Sequence, residues 1–161
     1  MKDLRKFYVD GEWIDPIFAN DLAVENPATE ELVATISMGA MADVNRAVAA
    51  AKHAFPSYSR TSVDERIALL ENLLSIYSDR YDEMAVAISI EMGAPISFST
   101  AAQADCGRGH IKAALEALKK FEFERQIGST RVVKEAIGVC GFITPWNWPI
   151  NQISCKVAPA L

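Results

Sequence analysis

The stretch from residue 138 to residue 150 limits the possible folds more than any other part of this chain. It begins with the apolar run Gly-Val-Cys-Gly-Phe-Ile and continues as Thr-Pro-Trp-Asn-Trp-Pro-Ile. Short apolar runs bounded by turn residues are typical of strands covered on both faces of a sheet. Two prolines then end the strand, and the second suits the first turn of a helix. The pattern predicts a buried strand over residues 137–143, a turn, and a helix from about Pro149.

One amide side chain, Asn147, stands in the predicted turn. A rigid strand–turn–helix unit can hold this amide so that its NH2 group donates to an oxygen that gains negative charge during a reaction. Asparagine is also a preferred N-cap, because its side-chain oxygen accepts from the free N–H groups of a helix start. The turn by itself leaves both roles open.

The first third of the chain lacks helical periodicity. Asp10-Gly11 between β-forming residues predicts a hairpin with a type I′ turn, Asn26-Pro27 marks a further turn, and residues 32–36 form a short strand candidate. We therefore expect residues 1–40 to form a β-rich arm. The expected second unit, residues 41–161, is a helical layer with the first strands of a dinucleotide-binding domain, so the predicted fold class is α/β.

Helical periodicity predicts about four helices after this arm. The first carries a buried apolar face from Asp43 and ends at Pro56, and the second begins with a capping box at Ser62 and Glu65. A third covers about residues 79–92 and ends at Gly93, which suits the left-handed position after a helix. A fourth covers about residues 98–121, where Gly107 and Gly109 either permit close packing or break the helix.

Composition argues against several classes of protein. The chain has 16 Lys and Arg against 21 Asp and Glu, and no basic stripe of the kind that binds nucleic acid. No apolar run reaches the roughly 20 residues that cross a bilayer, and the charged start does not resemble a signal peptide. We expect a cytoplasmic protein without membrane contact. Two histidines and three cysteines at wide spacing (Cys106, Cys140 and Cys155) suit neither zinc nor disulfides.

Several ordered sequence blocks carry a family resemblance. Residues 143–149 (Ile-Thr-Pro-Trp-Asn-Trp-Pro) and 156–161 (Lys-Val-Ala-Pro-Ala-Leu) resemble the NAD(P)-dependent aldehyde dehydrogenase superfamily. The resemblance extends back through Glu-Met-Gly-Ala-Pro at 91–95, Ala-Asp-Val at 42–44 and Glu-Asn-Pro-Ala-Thr-Glu-Glu at 25–31. It covers nearly the whole chain, in the family's order, and implies the N-terminal part of a Rossmann-like domain.

The resemblance also implies chemistry. In the family, a cysteine thiolate adds to an aldehyde to give a thiohemiacetal, hydride passes to NAD or NADP, and water releases a carboxylic acid. Asn147 matches the donor to the oxyanion, and Lys156 matches a lysine near the catalytic pocket, with a solvated lysine as the alternative. Cofactor contacts match Ile143, Thr144, Pro145 and Trp146. The substrate tunnel matches Trp148, Asn151, Gln152 and Cys155, whose polar or small members favour a functionalised or bulky aldehyde.

The chain lacks several sequence motifs of the family. The family's glycine-rich cofactor segment, general-base glutamate and nucleophilic cysteine have no match here, and neither Cys140 nor Cys155 is assigned a catalytic role. We expect the chain to be inactive alone, while its parent is a homo-oligomer (dimer or tetramer) that oxidises an aldehyde. A semialdehyde dehydrogenase lies within this class. The alternative from another class is a non-catalytic helical module that binds a full-length relative.

Overall fold

The structure, a computed structural model, describes residues 2–161 and opens with five short strands. These are β1 (Lys2–Leu4), β2 (Phe7–Val9), β3 (Glu12–Ile14), β4 (Asp21–Glu25) and β5 (Leu32–Ser37). Strand β5 pairs parallel with β1 and antiparallel with β4, while β2 and β3 form a separate hairpin. Asp10 and Gly11 in this hairpin have φ of 55° and 82°, as a type I′ turn requires. The predicted hairpin and the predicted strand over residues 32–36 are confirmed.

Helix α1 (Met41–Tyr58) differs from its prediction in two ways. Pro56 lies inside the helix and does not end it, because a proline in the last turn removes only one backbone hydrogen bond. The expected buried face is also wrong, since Asp43 is the one buried residue that α1 has and Val44 is 58% exposed. Between residues 2 and 161, α1 makes few contacts with other elements, so its apolar stripe stays uncovered.

Helices α2 (Val63–Asp79) and α3 (Tyr81–Met92) follow the sequence pattern closely. The Ser62 hydroxyl accepts from the Glu65 backbone N–H at 3.2 Å, and a Glu65 carboxylate oxygen accepts from the Ser62 N–H at 2.7 Å. Gly93 ends α3 with a φ of 77°. The predicted capping box and left-handed helix end are therefore confirmed.

The predicted fourth helix is present but contains an irregular middle. It comprises α4 (Ile96–Phe98), a π-helical segment (Ser99–Ala104) and α5 (Asp105–Leu118). A π-helical turn leaves carbonyl groups out of the regular hydrogen-bond ladder. Here the Tyr81 hydroxyl donates to the Thr100 carbonyl, and the Tyr77 hydroxyl donates to the Ala104 carbonyl at 2.7 Å. Two tyrosines thus satisfy the irregular backbone.

The segment between α5 and the last helix contains the main error of the sequence prediction. Strands β6 (Glu124–Ile127) and β7 (Thr130–Val133) form a hairpin, but residues 137–143 are neither strand nor buried. A strand exists only where a neighbour completes its backbone hydrogen bonds, and no strand in the described range pairs with this segment. The apolar run is therefore an exposed, irregular segment, with Ile143 94% exposed.

Helix α6 (Pro149–Ala160) begins where the prediction placed it, with proline in its first turn. Its Ala158 joins the buried core formed with Leu70 of α2 and with Ile111 and Leu115 of α5. The mixture of helices and small sheets confirms an α/β chain, while a division at residue 40 stays a prediction. No helix among residues 2–161 has both the length and the apolar character needed to cross a bilayer.

Candidate active site

The turn that precedes α6 presents the Asn147 amide to solvent. Helix α6 takes Trp148 as its N-cap residue, and no side chain caps the helix start. Asn147 is exposed, and the hydrogen bonds found among residues 2–161 do not include its side chain. The helix-cap alternative for Asn147 is therefore wrong, because the cap position is one residue later. The amide remains available to a partner outside the described residues.

The four residues before Asn147 form an exposed, largely apolar surface. Ile143 is 94% exposed and Trp146 is 77% exposed, and Thr144 and Pro145 between them are exposed as well. The sequence prediction placed these residues at the end of a strand, but they lie in an irregular stretch. Apolar side chains of this size are costly to leave in water, so this surface is suited to cover by another molecule or segment.

Trp148 anchors the turn on its other side. Its ring is half-buried and meets Phe98 of α4 edge to face, with ring centres 5.6 Å apart and planes at 80°. Edge-to-face aromatic pairs add about 0.5–1.5 kcal/mol to the burial of the rings. The turn is thus attached to α4 by Trp148 and to the core by α6, which holds the position of Asn147 between them.

Lys156 is half-buried on α6 and is not a freely solvated lysine. Its Nζ donates to the Gln152 carbonyl at 3.1 Å and to Gln152 Oε1 at 2.9 Å, one turn earlier. The ammonium also lies 4.0 Å from Cys155 Sγ, because the long side chain folds back along the helix. Lys156, Gln152 and Cys155 form one polar cluster.

A glycine brings α5 and α6 unusually close together. A Cβ atom added at Gly107 would lie 2.8 Å from Ile150 Cγ1 and 2.7 Å from Tyr77 Cζ, both inside contact distance. Burial raises the pKa of Tyr77 to about 12, so its hydroxyl stays protonated and keeps its bond to the Ala104 carbonyl. Of the two alternatives for the glycines, close packing is correct at Gly107, whereas nothing lies within 4 Å of a Cβ at Gly109.

The close approach also creates a polar contact that the sequence did not indicate. Nε2 of His110, one turn after Gly107, lies 2.6 Å from Oδ1 of Asn151. Both side chains are half-buried. The two residues are 41 positions apart, and His110 by itself is an ordinary helix residue. Only the docking of α5 on α6 reveals the pair.

The three cysteines lie in different surroundings. Cys106 and Cys155 are half-buried in helices and Cys140 is exposed, and all three are free thiols. We expected Cys140 inside a buried strand, so the structure corrects its environment. Nowhere from residue 2 to residue 161 do three or more His, Cys, Asp or Glu side chains form a group that could hold a metal ion.

Comparison with known proteins gives a consistent result. The family profile described as Aldehyde dehydrogenase family matches residues 13–161. A 3-succinoylsemialdehyde-pyridine dehydrogenase of Pseudomonas sp is 50% identical over the whole of this chain, which covers 34% of that relative. The chain thus spans about a third of the length of the curated relatives that it matches.

Solved structures agree with the sequence comparison. An aldehyde dehydrogenase from Bartonella henselae superposes with a TM-score of 0.96 at 45% identity, covering 99% of this chain and 34% of its own. A mutant aldehyde dehydrogenase from Pseudomonas syringae, complexed with NAD+ and octanal, superposes with a TM-score of 0.95 at 46% identity. The match covers 97% of this chain and 32% of that structure's chain. An aldehyde dehydrogenase from Mycobacterium tuberculosis, complexed with NAD+, superposes with a TM-score of 0.92 at 30% identity. The match covers 99% of this chain and 34% of that structure's chain.

Proposed function

The chain belongs to the aldehyde dehydrogenase family, and on this premise we propose that it supplies part of an enzyme that oxidises an aldehyde to a carboxylic acid with NAD or NADP. In this proposal the chain contributes the oxyanion donor, one wall of the cofactor site and part of the substrate tunnel. The observation that carries it is the Asn147 amide, which is exposed, adjoins the packed Trp148 and is not used to cap α6.

Asn147 is assigned the role of hydrogen-bond donor to the aldehyde oxygen. When a nucleophile adds to an aldehyde, this oxygen gains negative charge, and a fixed N–H donor stabilises it more than it stabilises the uncharged carbonyl. One such donor typically lowers the barrier by about 3 kcal/mol, or two orders of magnitude in rate. Because the turn is fixed by Trp148 and α6, the amide needs little reorganisation during the reaction.

Residues 143–146 fit a contact surface for the cofactor. Their exposure leaves apolar area that an adenosine group can cover, and their backbone is not engaged in a sheet. The solved relatives from Pseudomonas syringae and Mycobacterium tuberculosis were determined with NAD+. When bound, the dinucleotide supplies the hydride acceptor. The role proposed for Ile143, Thr144, Pro145 and Trp146 is to bind it and exclude water.

Lys156 is proposed to act next to the reacting groups. Its contact with Gln152 keeps a positive charge half-buried in the second half of α6, the helix that follows Asn147. A charge in this environment can hold neighbouring polar groups and assist the movement of a proton. Its role is thus to support the site, while Asn147 contacts the substrate oxygen.

The tunnel residues favour a substrate that carries polar groups. Asn151, Gln152 and Cys155 are polar or small, and all three are half-buried in the first two turns of α6. The Pseudomonas sp relative is named for a semialdehyde that bears a pyridine ring. We therefore favour a functionalised aldehyde over a simple aliphatic one. The enzyme is further proposed to be a homo-oligomer.

Activity of a chimera tests the proposal directly. The matching third of the Pseudomonas sp relative is replaced by this chain, and aldehyde-dependent reduction of NAD+ and NADP+ is followed. We expect an active enzyme in which Asn147→Ala lowers kcat by about 100-fold or more. The matched control is Asn20→Ala, an exposed asparagine in the N-terminal arm, which should leave kcat unchanged. An inactive chimera, or an Asn147→Ala variant with normal kcat, would contradict the proposed function.

The chain on its own is proposed to be inactive, since none of its cysteines is assigned as the nucleophile. The same assay, run on the isolated chain, should show no aldehyde-dependent reduction of either cofactor. Measurable turnover that disappears on Cys140→Ser or Cys155→Ser would show that the nucleophile lies within this chain and that the assignment is wrong.

A further inference from the structure

The contact between α5 and α6 contains a polar pair in which His110 has no part in the function proposed above. His110 Nε2 lies 2.6 Å from Asn151 Oδ1, within hydrogen-bonding distance. With Nε2 protonated, the imidazole donates and the Asn151 oxygen accepts. Gly107 on the same helix allows the close approach, because any larger residue there would meet Ile150 and Tyr77. The oxygen end of the Asn151 amide is therefore directed toward α5.

The neighbouring amide also uses its oxygen as an acceptor, with a different partner on α6 itself. Lys156 Nζ lies 2.9 Å from Gln152 Oε1, and an ammonium group can only donate, so the oxygen of Gln152 is the acceptor. Neither Asn151 Nδ2 nor Gln152 Nε2 makes a hydrogen bond within residues 2–161. Both amides thus engage their oxygen atoms with the protein and leave their NH2 groups free.

We propose that His110 is a positioning residue that turns the NH2 group of Asn151 toward the substrate. Asn151 and Gln152 then form a donor wall that selects aldehydes with a hydrogen-bond acceptor remote from the aldehyde carbon, such as a carboxylate, a ketone or a ring nitrogen. This inference rests on the proposed function, which places the two amides in the substrate tunnel. It adds the substrate class and a role for a residue outside the tunnel.

The physical basis is the difference between a satisfied and an unsatisfied donor. An acceptor-bearing substrate replaces the water lost from the NH2 groups, whereas an alkyl chain leaves the same donors without partners. A site built to hydrogen-bond its substrate discriminates strongly against an analogue that lacks the bonding group. Loss of His110 frees the Asn151 amide to rotate, so the discrimination should fall even though His110 does not touch the substrate.

Substrate preference in the chimera tests the proposal. The probes are succinic semialdehyde, which carries a carboxylate, and pentanal, which has no acceptor beyond its aldehyde. We expect His110→Phe, which keeps a ring but removes both nitrogens, to lower kcat/KM for succinic semialdehyde about tenfold, mainly through KM, and to change pentanal less than twofold. His110→Gln retains an N–H donor and should restore most of the preference. His53→Phe, at the exposed histidine of α1, is the matched control.

Equal losses for both probes in His110→Phe, or a His110→Gln variant as impaired as His110→Phe, would overturn the positioning role. A chimera without activity would instead refute the proposed function. In that case NMR decides the positioning role, using the chain with Ile137→Lys and Ile143→Lys to suppress association. The side-chain NH2 signals of Asn151 should shift on His110→Phe and not on His53→Phe. Unchanged signals would overturn the proposal.

Discussion

Gly107 sets the arrangement of the site most directly, because it has no side chain. It lies where α5 meets Ile150 of α6 and Tyr77 of α2, and a single added methyl group would overlap both. Gly109, two residues later, has open space around its Cα. Glycine is unfavourable at both positions as far as helix formation is concerned. Only at Gly107 does packing compensate for that cost.

The two glycines therefore make a matched pair for mutagenesis. We expect Gly107→Ala to destabilise the chain by about 1–3 kcal/mol, the usual cost of an overpacked interface. Gly109→Ala should stabilise it by about 0.5–1 kcal/mol, because alanine favours the helix and meets no neighbour. Urea unfolding followed by circular dichroism measures both. Equal effects of the two substitutions would show that the α5–α6 distance is not set at Gly107.

At the level of single elements, α1 depends on one carboxylate at its start. Asp43 accepts from the Ile17 N–H and from the Ala40 N–H, each at 2.9 Å, and thereby joins the N-terminal arm to the helix. The hydrogen bond from Ile17, followed by that from Ala40, lowers the pKa of Asp43 below its ordinary value. These bonds favour the charged form and are absent in the unfolded chain.

The lowered pKa of Asp43 predicts a specific pH dependence of stability. Its contribution is fully present above the unfolded pKa, near 4, and is lost as the pH falls through the lower pKa of the folded state. Asp43→Asn should therefore destabilise the chain at pH 7, and this difference should shrink in acid. Urea unfolding at several pH values tests this, with the exposed Asp79→Asn as control. A difference that is constant with pH would refute the role of the charge.

Sequence patterns predicted the local elements correctly. They failed where the structure of a segment depends on residues far away in the sequence. The Asp10-Gly11 turn, the Ser62–Glu65 capping box and the end of α3 at Gly93 depend on neighbours in sequence, and all three are confirmed. The strand over residues 137–143 was wrong, because a strand requires a second strand that an apolar run cannot reveal. For the same reason, the pairing of His110 with Asn151 across 41 residues left no signal in the sequence.

At the scale of the whole molecule, residues 2–161 leave prominent apolar surfaces without a covering element. One is the stripe of α1 that includes Val44 and Val48, and another is the irregular segment with Ile137 and Ile143. Exposed apolar surface of this kind favours association. The curated relatives that the chain matches are about three times as long.

We therefore expect the isolated chain to associate or to be poorly soluble. Replacing Ile137 and Ile143, both more than 90% exposed, with lysine should shift it toward a monomer without loss of helix content. Light scattering after size-exclusion chromatography measures the mass, and Ile17→Lys, an exposed isoleucine elsewhere, serves as control. A wild-type chain that is monodisperse and melts cooperatively as a monomer would contradict this expectation.

The tight fit around Gly107 has a consequence for how this sequence can vary. Any β-carbon at that position collides with the phenol ring of Tyr77. The Tyr77 hydroxyl in turn donates a hydrogen bond to the Ala104 carbonyl. Alanine at 107 therefore calls for smaller side chains at both 77 and 150. In a combinatorial library that randomises positions 77, 107 and 150 together, the variants that fold should show correlated side-chain sizes at the three positions. The contact would then be visible as covariation among these positions, and not as a preference for one residue at any one of them.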